Sequence, residues 1–412
     1  MAVPLRTDIR AFGRLVGWEY FPVAFLGRLP FAMMIVGILT IVTTVRGSVA
    51  EAGIAAACAG LGTSVLGPTI GAMADRYGER LILIVVCGLS IISTVGLLAV
   101  VLAGTPFAVV ALVAALAGGL TPQVAPFSRS RLVKFAGIPS APARRQRALS
   151  AVMSYESAMD EASFVAGPVL VGILTSFIAP WAPLALGSLL TAGIVVWFAL
   201  HPSVNQTHRR HEGADPKSGP VFTVRVLVLA AAMLAVGGVF GSILTGLTEF
   251  LRAMGHAEQT GIVYGAMSGG AIVIAIAVAA LPRTFGLSAR WITFAALGGI
   301  GAVLLAVALN LSTVVVALVL SGCGVGAVLV ALFSLGADEA PNGRSTTVLT
   351  TLQSALVVGQ AAAAAVGGYV AQQGGASSTF WITASLSAVL VVLALVHRRL
   401  HRRDRARVAS AP

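Results

Sequence analysis

Long apolar runs alternate with short polar breaks along the whole chain. Twelve runs stand out: Val23–Val45, Glu51–Ala74, Leu81–Ala103, Pro106–Phe127, Ala151–Phe177, Pro180–Leu200, Val224–Phe250, Gly261–Leu281, Trp291–Leu309, Ser312–Leu335, Thr346–Ala371 and Thr379–Val396. Each approaches the roughly 20 apolar residues that a helix needs to cross a bilayer. Backbone groups facing lipid find no water, so a helix, which satisfies them internally, is the natural spanning form. The pattern therefore predicts an all-α membrane protein with twelve transmembrane helices.

The polar breaks test that count through their charges. Alternate breaks hold Arg76 and Arg80, then Arg129, Arg131, Lys134, Arg144, Arg145 and Arg147, then Arg209, Arg210 and Lys217, then Arg283 and Arg290, and finally Arg344. The breaks between them hold only Arg46 and Arg252. Arg6, Arg10 and Arg14 precede the first run, and a tail from Arg398 to Arg407 follows the last. Basic loops stay in the cytoplasm, so both termini and the polar connection 201–222 are expected there, in a multi-pass protein of the cytoplasmic membrane. The connection divides the runs six and six. The expected domains are an N-terminal bundle at 1–200, a linker at 201–222, a C-terminal bundle at 223–397 and a basic tail at 398–412.

Composition agrees with this reading. Charged residues make up 10% of the chain and apolar residues 57%, against roughly 25% charged in soluble domains. The net charge of +12 would suggest nucleic acid in a soluble protein. Here the basic residues sit between the apolar runs, so membrane lipid is the expected partner instead. Cys58, Cys87 and Cys323 lie within apolar runs and read as packing residues. No metal-ligand spacing, cofactor motif or phosphate-binding loop followed by Lys-Ser/Thr is present, so neither an enzyme nor direct ATP coupling is expected. The basic N-terminus leads into the first run without a small-residue cleavage site, so no cleavable signal peptide is expected. His201, His208 and His211 read as solvent-exposed.

The break between runs two and three reads Gly71-Ala-Met-Ala-Asp75-Arg76-Tyr-Gly78-Glu79-Arg80. Gly71 lets two helices approach, Gly78 permits a tight turn, and Asp75 can cap a neighbouring helix, whose dipole favours an anion there. Arg76 can pair with an acid on a facing element. This segment resembles the signature loop of the major facilitator superfamily (MFS), G-x-x-x-D-R-x-G-R/K-R/K, at the same place in the topology. Glu79 replaces the usual basic residue. The corresponding break in the second half, Leu281 to Arg290, keeps a glycine and an arginine but has no Asp. The resemblance implies two six-helix bundles around a central site, with the Gly71, Asp75, Arg76, Gly78 and Arg80 loop as a conformational latch. In run five, Ser163 to Gly172 around Gly167-Pro168 resembles, in part, the G-x-x-x-G-P-x-x-G-G element of proton-coupled exporters. Pro168 removes a helical hydrogen bond, so a bend is expected there.

The acids Glu156, Asp160 and Glu161 lie in run five. A charge at mid-membrane costs about 2.5–3.5 kcal/mol on insertion scales, so such residues mark pathways or pairs. Asp160 lies 17 residues from Phe177, and Arg28 lies 17 from Val45. Both are thus roughly 25 Å from the far ends of their runs, and an Arg28 pair with Asp160 or Glu161 is expected. Whichever acid is left unpaired is the better proton carrier. Run four contains no arginine between Pro106 and Phe127, a departure from many drug exporters, and leaves Arg28 as the one clear intramembrane cation of this reading. Gln123 in run four, and Gln353 and Gln360 in run eleven, are cavity candidates. Glu249 and Arg252 read as a surface pair. The expected function is proton-coupled efflux of a small molecule by a monomeric secondary transporter, a drug or metabolite antiporter. The alternatives are a proton-coupled nutrient or sugar importer and a lipid-translocating membrane protein.

Overall fold

The computed structural model describes residues 17–136, 142–204, 220–255, 260–278, 281, 285–341 and 344–409. The middle of the linker (205–219, with His208 and His211), the first sixteen residues and the segment Pro282–Thr284 lie outside them, as do the side chains of the tail from Arg402. No strand occurs among the described residues. Eleven helices among the described residues are long and apolar enough to cross a membrane: Tyr20–Arg46, Glu51–Tyr77, Glu79–Leu102, Phe107–Phe135, Ala151–Phe177, Ala182–Leu200, Val224–Ala253, Leu287–Ala306, Leu311–Glu339, Ser345–Ala371 and Gln373–His401. The shorter apolar helix Val263–Val278 supplies the eighth of twelve spans in chain order. The protein is an all-helical, multi-pass membrane protein.

The sequence signals that end these helices are ordinary ones. Ser48, Thr223 and Asn310 cap spans two, seven and ten by accepting from the backbone N–H groups of Glu51, Val226 and Thr313. Gly78 turns the chain between spans two and three with φ of 98°, a conformation that disfavours any side chain. Gly375, at φ of 70°, breaks an otherwise continuous helix into spans eleven and twelve.

By packing, the chain forms two compact units. One comprises 1–152, 159–219 and 341–354; the other comprises 153–158, 220–340 and 355–412.

Within each unit, small residues bring helix backbones together. In the first, a Cβ on Gly62 would strike the Ala115 backbone, and one on Gly118 the Ala59 backbone, so spans two and four touch directly. In the second, Gly322 and Gly326 of span ten meet Met267 and Ala271 of span eight, and Gly237 and Gly241 of span seven meet Leu356 and Gln360 of span eleven. Lipid gives no hydrophobic drive between helices, so close contact of this kind supplies much of the association energy. The large aliphatic residues point the other way. Leu61, Ile92, Leu112, Leu189, Val273 and Ile300 are all more than half exposed, as a lipid-facing belt requires.

Two spans are interrupted part-way through. Span one is helical from Tyr20 to Leu26 and again from Leu29 to Arg46. Pro30, lacking an N–H, removes one helical bond beside the junction, and Gly27 and Arg28 occupy it. Span four is helical over Phe107–Leu120 and Val124–Ala136, with Thr121, Pro122 and Gln123 between. The sequence reading ended this span at Phe127 and left Arg129 and Arg131 outside it. The helix instead continues, and both arginines are fully buried. A run of charge looks like a loop only until its partners, which lie far away in sequence, are known.

Replacing Gly322 by Ala should cost about 1–3 kcal/mol or more, because the new methyl meets backbone rather than a yielding side chain. Gly265→Ala, where nothing lies within 4 Å, is the control. Thermal unfolding of the two purified variants checks the difference.

Candidate functional site

The interruptions of spans one and four meet span five at a buried charge cluster. Arg28 Nε donates to Asp160 Oδ1 at 2.9 Å, the pairing expected from their shared depth. Arg28 also donates to the Ala24 carbonyl at 2.8 Å. Arg129, from the second half-helix of span four, grips the other oxygen of Asp160. One carboxylate thus bridges two guanidinium groups, all three buried. Losing one partner of such a set costs about 3–5 kcal/mol, because it strands charge in the interior. Glu156 and Glu161 are buried as well. Among the described residues, Glu161 makes neither an ion pair nor a hydrogen bond.

A cavity of about 20 Å³ opens beside this cluster, room for roughly one water molecule. Arg28, Gln123, Asp160, Ser163 and Gln353 supply its polar lining, and Phe31 and Phe164 an edge-to-face aromatic wall. The structure therefore brings two of the three candidate glutamines to the charges. Gln360 is not among the lining residues; its backbone packs on Gly237 and Gly241. Gly167 sits where a Cβ would press on Ala32 of span one, so it acts as a packing contact, and Pro168 lies within a helix that runs from Pro142 to Phe177.

In the Gly71–Arg80 loop, Asp75 makes the helix cap that its chemistry suggests. Asp75 accepts from the backbone N–H of Thr347 at 2.8 Å and from its hydroxyl at 2.7 Å. Thr347 lies in the first turn of the helix beginning at Ser345, so the carboxylate caps span eleven where the dipole favours an anion. Gly71 packs on Thr350, and Ser130 binds the hydroxyls of Ser345 and Thr346. Arg76 lies over the Tyr77 ring at 5.2 Å and makes no ion pair among the described residues. The acid expected to face it is absent there. Arg80 likewise has no described partner.

Sequence reasoning missed a second network, where spans one, three, four and six end near the basic loops. Arg131 donates to Glu79 at 2.7 Å, to the Phe198 carbonyl at 2.9 Å and to the Ser203 hydroxyl at 3.1 Å, and its guanidinium lies over the Phe198 ring. Glu79, the departure from the family pattern, thus has a specific partner. His201 is buried, a correction to its reading as exposed: its Nδ1 lies 3.0 Å from Ser203 Oγ and its ring packs on Tyr20. The Tyr20 hydroxyl lies 2.9 Å from that of Ser128. The one available signal was an odd acid (Glu79) and two arginines just beyond a proline-marked break. Glu249 and Arg252 form the expected exposed pair at 2.9 Å.

Burial, and secondarily Arg131, push the His201 pKa down from 6.5, while Glu19 pulls weakly upward. The unfolded chain therefore takes up the proton first. The stability this neutral imidazole contributes is complete above about pH 6.5 and fades as the pH falls below it. His201→Gln should flatten the fall in melting temperature on acidification from about pH 7 to about pH 5. Asp160→Asn should cost about 3–5 kcal/mol by stranding guanidinium charge. The double variant Arg28→Gln/Asp160→Asn should recover part of that loss in a thermal-denaturation cycle.

The sequence profile of the Major Facilitator Superfamily matches residues 20–357. No curated protein sequence matches the chain. Solved structures do. The human organic anion transporter MFSD10 (TETRAN) is 18% identical, with a TM-score of 0.67 over 91% of this chain and 98% of its own. A bacterial homologue of the iron transporter ferroportin, in an outward-facing state with soaked iron, is 16% identical, with a TM-score of 0.72 over 92% and 98%. A second structure of such a homologue in that state is 15% identical, with a TM-score of 0.70 over 96% and 100%. At these identities the likeness establishes the fold.

Proposed function

The chain belongs to the Major Facilitator Superfamily, and we propose that it is a proton-coupled secondary transporter that exports a small molecule from the cytoplasm. That it moves a solute across a membrane, and is not an enzyme, follows from the family. Proton coupling, direction and site roles are our reading. In this reading the two six-helix halves, 1–200 and 223–397, move to give alternating access, with the termini and linker cytoplasmic. The protein works as a monomer whose basic loops face anionic headgroups.

One observation carries the proton reading: Glu156, Asp160 and Glu161 lie buried within one turn and a half of span five, and among the described residues Asp160 is clamped by two arginines while Glu161 has no partner. Protonating Asp160 would forfeit both pairs. Glu161, beside it and without a described partner, can gain or lose a proton without dismantling anything. It is the carrier in this reading, and Asp160 is the fixed charge that holds spans one, four and five together. Discharging Glu161 removes a buried charge, which shifts the balance between states that bury it to different degrees. The Asp75 cap on span eleven holds one of those states, and its release permits the other.

Export is favoured by the Gly167-Pro168 element. Uptake with the proton is the second reading, favoured by the arginine-bearing cavity, which would bind an anion and a proton together. Neither solved neighbour decides the substrate, since one is named for organic anions and the other for iron.

Proteoliposomes carrying a pH gradient test the reading with a panel of cationic dyes, antibiotics, sugars and organic acids. At least one compound should collapse the gradient with the wild type, Glu161→Gln should abolish that signal, and Asp160→Asn should impair folding and flux together. Wild-type proton movement in Glu161→Gln would overturn the carrier assignment.

A further inference from the structure

Span six ends on a buried histidine whose hydrogen bonds fix its protonation state. The backbone N–H of Ser203 donates to His201 Nδ1 at 3.3 Å. The Ser203 hydroxyl lies 3.0 Å from the same nitrogen and accepts from Arg131 at 3.1 Å. Arg131 already supplies a hydrogen to that oxygen, so the hydroxyl's own hydrogen points to Nδ1. Nδ1 therefore accepts twice, and the ring is neutral with its hydrogen on Nε2. Nε2 is buried and has no hydrogen-bond partner; Glu19 Oε1 lies 3.9 Å away, beyond hydrogen-bond range.

The groups that face this ring disagree about a second proton. Among the described residues, span four supplies Arg131, and the head of span one supplies Glu19 and Tyr20. Span three supplies Glu79, which is held by Arg131. A second proton would sit on Nδ1 and face the Ser203 N–H, setting donor against donor, and its charge would lie near Arg131. Outside the socket, the Glu19 side chain is 65% exposed and offers a carboxylate. The charged ring is repelled on one side and attracted on the other, so it turns toward Glu19. Burial first, and Arg131 second, hold the pKa below 6.5, so the change falls on the acid side of neutrality.

The neutral ring also supports the head of span one. Tyr20 is fully buried, packs edge-on against His201 with ring centres 5.5 Å apart, and places its hydroxyl 2.9 Å from Ser128 Oγ. It opens the short helix Tyr20–Leu26. One turn further on, the Ala24 carbonyl accepts from Arg28, the partner of Asp160. A single short helix thus joins His201 to the buried charge cluster.

We propose that His201 is a proton-operated latch on the head of span one. Neutral, it holds the Tyr20–Leu26 helix in place; charged, it turns toward Glu19 and releases that helix, so acidification on the basic-loop side slows transport. The effect on transport rests on the transporter reading, and the latch itself does not. The latch is separate from the carrier, since His201 follows span six and Glu161 lies within span five.

Hydrogen exchange of the full-length protein in lipid nanodiscs reads the latch directly, once rates are corrected for the intrinsic effect of pH. Protection of the Tyr20–Leu26 amides should fall about tenfold between about pH 7.5 and about pH 5, one decade for each unit by which the two pKa values differ, while span ten stays protected. His201→Gln, whose carboxamide oxygen can accept from Ser203 and takes no proton in this range, should stay protected throughout. Glu19→Gln should move the transition down by roughly 0.2–0.7 pH unit, the contribution of an exposed ion pair. Should His201→Gln itself open the helix at every pH, the Glu19→Gln shift decides the matter. A transition that persists in His201→Gln, or that ignores Glu19→Gln, would overturn the proposal. In proteoliposomes, with the panel compound that gives the largest signal, acidifying the basic-loop side should slow wild-type flux more than that of His201→Gln; equal slowing would overturn the link to transport. A pH-dependent opening in a protein that moves no compound of the panel would support the latch and count against the transport reading.

Discussion

A carboxylate buried among apolar helices has to be answered by positive charge, and in this protein Asp160 is answered twice. The arginines come from spans one and four, each broken where it approaches span five. Neither break would be tolerated facing lipid, where freed backbone groups have no partner. They are tolerated here because they are enclosed by protein and border a small cavity with polar groups in its wall. The ion cluster and the broken helices are therefore one feature: the charges hold the three spans at a point where regular helix structure has been given up.

Around that point the rest of the protein is held by close contact and by helix-end chemistry. Glycines let span two touch span four, span seven touch span eleven, and span eight touch span ten at backbone distance. The Asp75 carboxylate ties the start of span eleven to the end of span two through a single residue, Thr347. A contact that depends on one cap is weak beside a buried ion cluster, since a cap contributes about 0.5–2 kcal/mol. That difference suits the roles proposed: the Arg28–Asp160–Arg129 set as a permanent fixture, the Asp75 cap as an interaction that can be made and broken.

The network about Arg131 shows how a departure from a family pattern can be absorbed. Glu79 stands where a basic residue is usual, yet it is the acid that Arg131 needs, and Arg131 in turn orders Phe198, Ser203 and, through Ser203, His201. The basic-loop ends of spans three, four and six are thus joined by a buried chain of polar groups.

The periodic apolar runs by themselves determined the membrane class, twelve spans and the alternation of basic loops, because spanning length and charge asymmetry are local properties read without knowing any contact. The glycine turn at Gly78 and the capping role of Asp75 were legible for the same reason: each follows from the residue's own backbone and side-chain chemistry. Depth counting even brought Arg28 level with Asp160. Only the tertiary structure decided that Asp160 rather than Glu161 takes the arginine, that Arg129 joins it, that Gln123 and Gln353 reach the cavity while Gln360 does not, and that His201 is buried. Those outcomes depend on which face of each helix turns inward and on where a helix breaks and resumes. Both are settled by partners on other helices, such as Arg28, 132 residues from Asp160, and so leave no trace in the local pattern.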